Sequence, residues 1–413
     1  MAWISINPIK KEIIYPILSF VMYTIYSFFT TRSLYYWEPF ADRYMSISIS
    51  LYCIIQFLNY ISKSLAFILY IIQKKNSHHG NSNNTKDIEM ISGSLSNKIK
   101  IIGMISIIVF FEFFSSLFLS NLSSITYVNV FDMIRNNIRI IIATIFSIVI
   151  LHYKFYKHHW FSIFLMCFGL FLFIITAFYT NFYRIQIRVI SYYYNVIALF
   201  IYIPITVIMK GLFEVLEKYL IEVKYINSYA VIGLEGIIGI AILIAFSMIN
   251  LIVPTFWLRY LFEDLFYLFY DIFRNILYFL FFLSIIILSF LYHSFRILTI
   301  QHFFPTYTGL ADIFGSFIFW IWDFFFIKQN YLERFYDIYK YKWTIGNKLI
   351  EFLCLIIMMI GILVYLEIIQ LNVWGLGENT AYSISSRSES YYIKEINGIT
   401  LAFKNDFEKE EIQ

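Results

Sequence analysis

The chain has 413 residues, 60% of them hydrophobic and 14% charged, with a formal net charge of +4. Mean hydropathy is +0.71, and no water-soluble globular domain has enough interior to hide that much apolar surface. The basic residues sit mainly in loops and form no concentrated face, which excludes nucleic acid as a partner.

The apolar residues come in blocks of about twenty, the length that crosses a bilayer core. They predict ten transmembrane helices. The first, 13–31, follows Lys10 and Lys11. It is too long for a signal-peptide core and no small-residue cleavage site follows it. The second covers 45–73. The polar stretch after it, 73–98, lacks apolar periodicity and reads as a disordered loop. The third and fourth, 99–119 and 124–151, are joined by a tight turn over 120–123. The fifth covers 156–180. The sixth, 190–217, contains Pro204, which predicts a kink. The seventh covers 228–252, with Pro254 just beyond. The aromatic stretch 255–275 reads as an interfacial helix. The eighth, ninth and tenth cover 275–295, 304–327 and 348–370. The charged, aromatic segment 328–347 is expected at a membrane surface, and the tail beyond Asn372 is polar.

Lysine and arginine set the orientation. With a cytosolic N-terminus, the cytosolic loops of the first half hold Lys10, Lys11, Lys74, Lys75, Lys86, Lys98, Lys100, Lys154 and Lys157. The opposite loops hold only Arg32, Arg43, Arg184 and Arg188. Both termini are therefore expected in the cytosol, against the five basic residues of 328–348. The sequence "TYVNVFDMIRNN" (126–137) aligns without a gap with "TYTGLADIFGSF" (306–317), matching Thr126 to Thr306, Tyr127 to Tyr307 and Asp132 to Asp312. An all-α integral membrane protein of ten helices in two inverted five-helix repeats would place these as a symmetric pair. Such repeats mark transporters with a midplane site. The expected division is a cytosolic N-terminus 1–12, a first half 13–180 with a disordered loop 74–98, a second half 190–371 and a cytosolic tail 372–413.

Charges inside the spans are the candidate functional residues, because each costs on the order of 3 kcal/mol at mid-bilayer. Asp132, Arg135 and Arg139 fall on one face of the fourth span, with Asn136 beside them. Two arginines suit an anionic group, with Asp132 ordering Arg135 by an i,i+3 pair. A snorkelling set is the structural alternative. The ninth span offers Tyr307, Thr308 and Asp312, the last also readable as a dipole-stabilised carboxylate near a helix start. Lys210 and Glu214 are spaced for an i,i+4 pair. Lys63 reads as snorkelling, Glu112 needs a partner or a proton, and Asp323 reads as interfacial. In "YAVIGLEGIIGIAIL" (229–243), Gly233, Gly236 and Gly239 form a strip for close helix packing. Glu235 projects about a quarter turn away, with Lys210 and Lys224 as candidate partners for proton coupling or a structural ion pair.

Cys53, Cys167 and Cys354 each lie in an apolar span and are read as small core residues. The seven histidines sit in or near loops, and none has a carboxylate or cysteine at metal-ligand spacing. Neither a metal nor a cofactor is expected. No nucleophile elbow, P-loop or dinucleotide fingerprint occurs.

Three stretches carry a family resemblance. "VLEKYLIEVKYINSYAVIGLEGIIGIAIL" (215–243) holds Glu217, Gly233, Glu235, Gly236 and Gly239 in a G-x-E-G setting. "FEFFSSLFLSNLSSITYVNVFDMIRNN" (111–137) holds Glu112 and the Met-Ile-Arg of 133–135. "TYTGLADIFGSFIFWIW" (306–322) holds Asp312 and Trp320. Together they resemble the drug/metabolite transporter superfamily, in particular the nucleotide-sugar-transporter-like, EamA-like F-type branch of solute carrier family 35. The resemblance implies two inverted five-helix halves around a central cavity and alternating-access transport without ATP hydrolysis. Thr308 and Gly315 stand where the pattern has arginines, which weakens the case for an anion gripped from the ninth span. The resemblance implies an endomembrane location, of Golgi, endoplasmic reticulum or lysosome-like type. The expected partners are a small-molecule substrate and the lipid bilayer, with a second copy of the chain as a further candidate. A non-transporting scaffold that retains the transporter fold is the alternative. An acyltransferase-like enzyme lacks the intramembrane histidine it would need, so the chain is not expected to be an enzyme.

Overall fold

The computed structural model describes residues 4–6, 14–27, 30, 48–79, 95–125, 128–153, 155–185, 198–252, 270, 273–274, 276–303, 305–309, 313, 315, 318, 345–365, 367, 369–371 and 375–376. The helices are α1 (Ile14–Ser27), α2 (Ser48–His79), α3 (Leu95–Ile125), α4 (Val128–Ile150), α5 (Lys157–Ile185), α6 (Ile203–Glu222), α7 (Ser228–Ile252), α8 (Ile276–His302) and α9 (Ile345–Tyr365). Two three-residue strands, β1 (Ile4–Ile6) and β2 (Ile369–Leu371), pair antiparallel with Ser5 opposite Gln370. Among the described residues, five helices are long and apolar enough to cross a membrane, with windows Ile55–Gln73, Ser96–Leu117, Lys157–Thr176, Ser228–Met248 and Phe279–His302. Shorter apolar stretches are Ile14–Ser27, Ile138–Ile150 and Phe352–Tyr365. The chain is an all-α, multi-pass membrane protein.

Its helices are amphipathic in the inverted sense that a bilayer demands. In α5 the exposed residues are Trp160, Phe164, Phe168, Phe171 and Ile175, three or four apart on one stripe. The opposite stripe buries Ser162, Met166, Leu170 and Phe173. In α4 the polar residues Arg135, Asn136, Arg139, Thr144 and Ser147 are buried, while Ile145 and Val149 face outward. Apolar side chains face lipid at little cost, and polar ones must find partners inside.

The described elements form two compact units. One holds β1, β2, the end of α4, α5 and α9. There α5 and α9 pack closely through glycines. A methyl added at Gly169 would lie 2.7 Å from Met358 Cγ and 3.1 Å from the Cys354 carbonyl oxygen. After α9, Glu367 turns the chain with φ 56 and its N–H bonds to the Val364 carbonyl. A left-handed backbone costs a non-glycine residue roughly 1–2 kcal/mol.

The other unit holds α1–α3, most of α4 and α6–α8. Here α2 packs on α7 and α8, α3 on α6 and α7, and α1 on α8. Tyr60, Ile105, Ile108, Val109, Phe113, Phe213 and Val231 belong to its apolar core. The α1–α8 contact is aromatic: Tyr26 stacks on Tyr292 at 5.9 Å and Tyr15 on His302 at 5.3 Å.

Several boundaries differ from expectation. α2 runs on to His79 and α3 starts at Leu95, so both ends of the expected loop are helical. Lys74 and Lys75 favour helix, and residues 80–94 lie outside the described residues. The expected turn over 120–123 is helical and α3 continues to Ile125. It contains neither glycine nor proline to stop a helix. Pro204 follows directly on a π-helical turn, Ala198–Tyr202, and stands in the first turn of α6, so the helical run changes its hydrogen-bond register at the residue that has no N–H to donate. α8 extends past the expected end at 295 to His302. The ninth span is described only in part, with 306–309 helical. Most of the predicted interfacial helix 255–275, and residues 328–344, fall outside the described residues.

Candidate functional site: a buried ion-pair cluster

The site begins with the glycine strip of α7. A methyl at Gly236 would run into the backbone of Tyr60, Lys63 and Ser64, and one at Gly233 would lie 2.8 Å from Phe67 Cβ. Glycine therefore lets α2 approach to backbone contact. That approach brings Lys63 of α2 to Glu235 of α7, with Nζ 3.2 Å from Oε2. The same ammonium lies 2.5 Å from Glu112 Oε1 on α3. Lys63 and Glu235 are both fully buried. One cation thus serves two carboxylates.

A second pair lies alongside. Arg296 of α8 donates from Nη1 to Glu217 Oε2 of α6 at 2.7 Å and from Nη2 to Oε1. This two-pronged geometry suits a planar guanidinium. The Phe213 ring links the pairs: Arg296 Cζ lies 5.0 Å and Lys63 Nζ 5.4 Å from its centroid. Such cation–π contacts strengthen when desolvated. A third pair joins Arg139 of α4 to Glu214 of α6 at 3.3 Å. Glu214 and Glu217, three residues apart, share one helix face.

Neutral polar groups continue the site along α2. Tyr26 donates to Asn59 Oδ1 at 2.6 Å and Ser289 donates to the same oxygen at 2.9 Å. The Ser62 and Ser289 hydroxyls are 2.7 Å apart. Among the described residues, Glu112 Oε2, Glu235 Oε1, Arg296 Nε, His293 Nδ1 and Ser294 Oγ are buried without a hydrogen-bond partner. An unmet buried polar group costs about 1–3 kcal/mol. Lys218 instead has a capping role. Its Nζ donates to the carbonyl oxygens of Ile300 and Gln301 at 2.7 and 3.1 Å and pairs with Glu222 at 2.6 Å. It thereby satisfies carbonyls that the end of α8 leaves open.

The expected site residues fall as follows. Arg135 is buried and donates to Asn136 Oδ1 at 3.3 Å. Arg139 is fully buried on Glu214. The Asp132 side chain and all of Asp312 lie outside the described residues. Tyr307 stacks on Phe303 at 4.8 Å, and the buried Thr308 hydroxyl donates to the Pro305 carbonyl at 2.8 Å. A methyl at Gly309 would lie 2.8 Å from Ile140 Cγ1 and 3.4 Å from Arg139 Nη2. The segment 306–309 therefore abuts the arginine face of α4.

Two expectations need correction. The partner of Glu235 is Lys63, not Lys210 or Lys224, because the glycine strip admits the α2 backbone and brings Lys63 within 3.2 Å. Lys63 does not snorkel; Glu112 and Glu235 hold it inside. Glu214 pairs with Arg139 across helices at 3.3 Å, a contact that spacing along one helix does not announce, and α4 and α6 meet closely at Gly211, where a methyl would lie 3.0 Å from Ile142 Cγ2. Arg296 was missed altogether. Its charge marked an apparent span end, although the apolar rhythm continues through Ile297 and Ile300.

The chain matches no known protein-family model and no curated protein.

Proposed function

We propose that the chain is a secondary transporter that moves a small organic solute, a nucleotide sugar or another metabolite, across a membrane by alternating access. The observation that carries this reading is the Lys63–Glu112–Glu235 cluster. Fixed helix packing does not need it, since buried ion pairs can often be replaced by apolar residues without loss of stability. Charges buried among transmembrane helices mark solute and ion pathways. The cluster draws on α2, α3 and α7, with Arg296–Glu217 and Arg139–Glu214 adding α8, α6 and α4. Ion pairs that span so many helices can exchange partners as the helices shift.

The ten-helix, inverted-repeat architecture belongs to the same proposal. The contact between Gly309 and Arg139 supports it, because it joins the two segments that the repeat pairs. The β1–β2 pairing supports an even number of spans between Ile6 and Ile369. Arg139 and Arg135 already have polar partners, so an anionic solute must compete with Glu214 and Asn136. This favours a substrate that carries cationic or hydroxyl groups beside any anionic one.

The test is a thermal-unfolding screen of the purified chain against nucleotide sugars, amino acids, vitamins and organic cations, repeated on Glu235→Gln and Arg139→Gln. A ligand bound to the native state raises apparent stability. The expected result is a ligand-specific rise that both substitutions abolish while the variants still unfold cooperatively. No rise from any ligand would favour the scaffold reading, and a rise that survives both substitutions would place the site elsewhere.

A further inference from the structure

Outside the ion-pair cluster, the start of α5 and the turn after α9 bring together three groups with metal-ligand chemistry. His158, His159 and Glu367 each offer a ligand atom, and these atoms lie within 4.8 Å of one another. His158 Nε2 is 3.1 Å from Glu367 Oε1. The two imidazole centroids are 4.0 Å apart. The sequence hides this set, because Glu367 lies in a distant part of the chain from the histidine pair.

The geometry points to a binding site for a zinc-class divalent transition ion, held by His158, His159 and Glu367. Three observations support it. His158 is 3% exposed; its Nε2 faces the Glu367 carboxylate, and its Nδ1 is buried with no hydrogen-bond partner among the described residues, so a donor atom stays available beside the carboxylate. Glu367 adopts a left-handed backbone, φ 56, where glycine would be the unstrained choice. The strain brings its carboxylate to the histidines. His159 Nδ1 accepts the Tyr156 N–H at 3.3 Å, a long contact that a metal bond can replace.

Two imidazoles and one carboxylate suit zinc, cobalt, nickel or copper rather than magnesium or calcium, which prefer all-oxygen sites. Zinc bonds of about 2.0–2.2 Å require only modest side-chain closure from the observed spacing. The α5 N-terminal dipole disfavours a cation, and the Glu367 carboxylate offsets it. The side chain of Glu367 is 20% exposed, so an ion can arrive from solvent. Once bound, it would tie the end of α9 to the start of α5.

The test uses the full chain in detergent, free of any histidine tag and stripped with a chelator. Zinc binding is measured by equilibrium dialysis, and thermal unfolding is followed with and without zinc or magnesium. The expected result is one zinc per chain and a zinc-dependent rise in Tm that magnesium does not reproduce. Glu367→Gln, and separately His158→Asn with His159→Asn, should weaken zinc binding by at least about tenfold. His152→Ala and His302→Ala, two histidines outside the cluster, should leave it unchanged. Glu367→Gln is the conservative variant and is compared at matched metal-free Tm. No zinc binding would overturn the site, as would binding unchanged in Glu367→Gln or weakened equally by the two control substitutions.

Discussion

Two helix interfaces in this chain solve the same packing problem with different chemistry. Between α5 and α9, Gly169 and Gly361 admit Met358, Met166 and the backbone of Cys354 and Ser162. No charge takes part in those contacts. Between α2 and α7, Gly233, Gly236 and Gly239 admit Phe67, Tyr60 and the backbone around Lys63, and an ion pair lies beside them. Small residues are sufficient for close approach in a bilayer, where van der Waals packing drives association. The charges of α2 and α7 are therefore surplus to packing, which is why we assign them to function.

The largest expected break in this comparison is Lys63→Met. It leaves Glu112 and Glu235 buried without their cation, and removing one partner of a buried pair costs about 3–5 kcal/mol. Thermal unfolding in detergent should show a steep fall in Tm. Next comes Gly236→Val, which forces a side chain into the α2 backbone. Overpacking of this kind costs about 1–3 kcal/mol. Gly103→Val is the matched control, since nothing lies within 4 Å of a methyl there, and it should leave Tm nearly unchanged. Gly361→Ala should cost less than Gly236→Ala, because Met166 Cγ at 2.9 Å can swing aside whereas the α2 backbone cannot. The smallest effect is expected for Ser289→Ala. It removes the bonds to Asn59 and Ser62 but leaves Tyr26 on Asn59, a loss of about 0.5–1.5 kcal/mol.

The sequence carried the membrane class and the bounds of several helices, because the apolar blocks are long and their periodicity is strong. The seventh span was expected at 228–252, and α7 is Ser228–Ile252. It also singled out Glu235 and Glu112 as charges in need of partners, and Arg139 as a buried charge for an anionic solute. It did not reveal those partners. Lys63 and Glu235 come from different helices, and nothing local to either residue encodes their meeting. Lys63 was misread for a physical reason: a lone lysine in an apolar run looks the same whether it snorkels to the interface or is gripped inside. Arg296 was hidden by a similar ambiguity, since a charge after a long apolar run resembles a helix end. The strand pair β1–β2 and the histidine–glutamate cluster depend on contacts between distant parts of the chain, and no periodicity announces either.

The central claim is that the ion cluster serves solute movement rather than stability. The most direct test replaces it whole, with Lys63→Met, Glu112→Leu and Glu235→Leu in one chain. Tm and uptake into proteoliposomes are then measured for the ligand identified by the thermal screen. The account predicts a Tm at or above that of the parent chain, because an apolar replacement of a buried ion set is often neutral or stabilising, together with loss of uptake. A folded variant that retains uptake would contradict it.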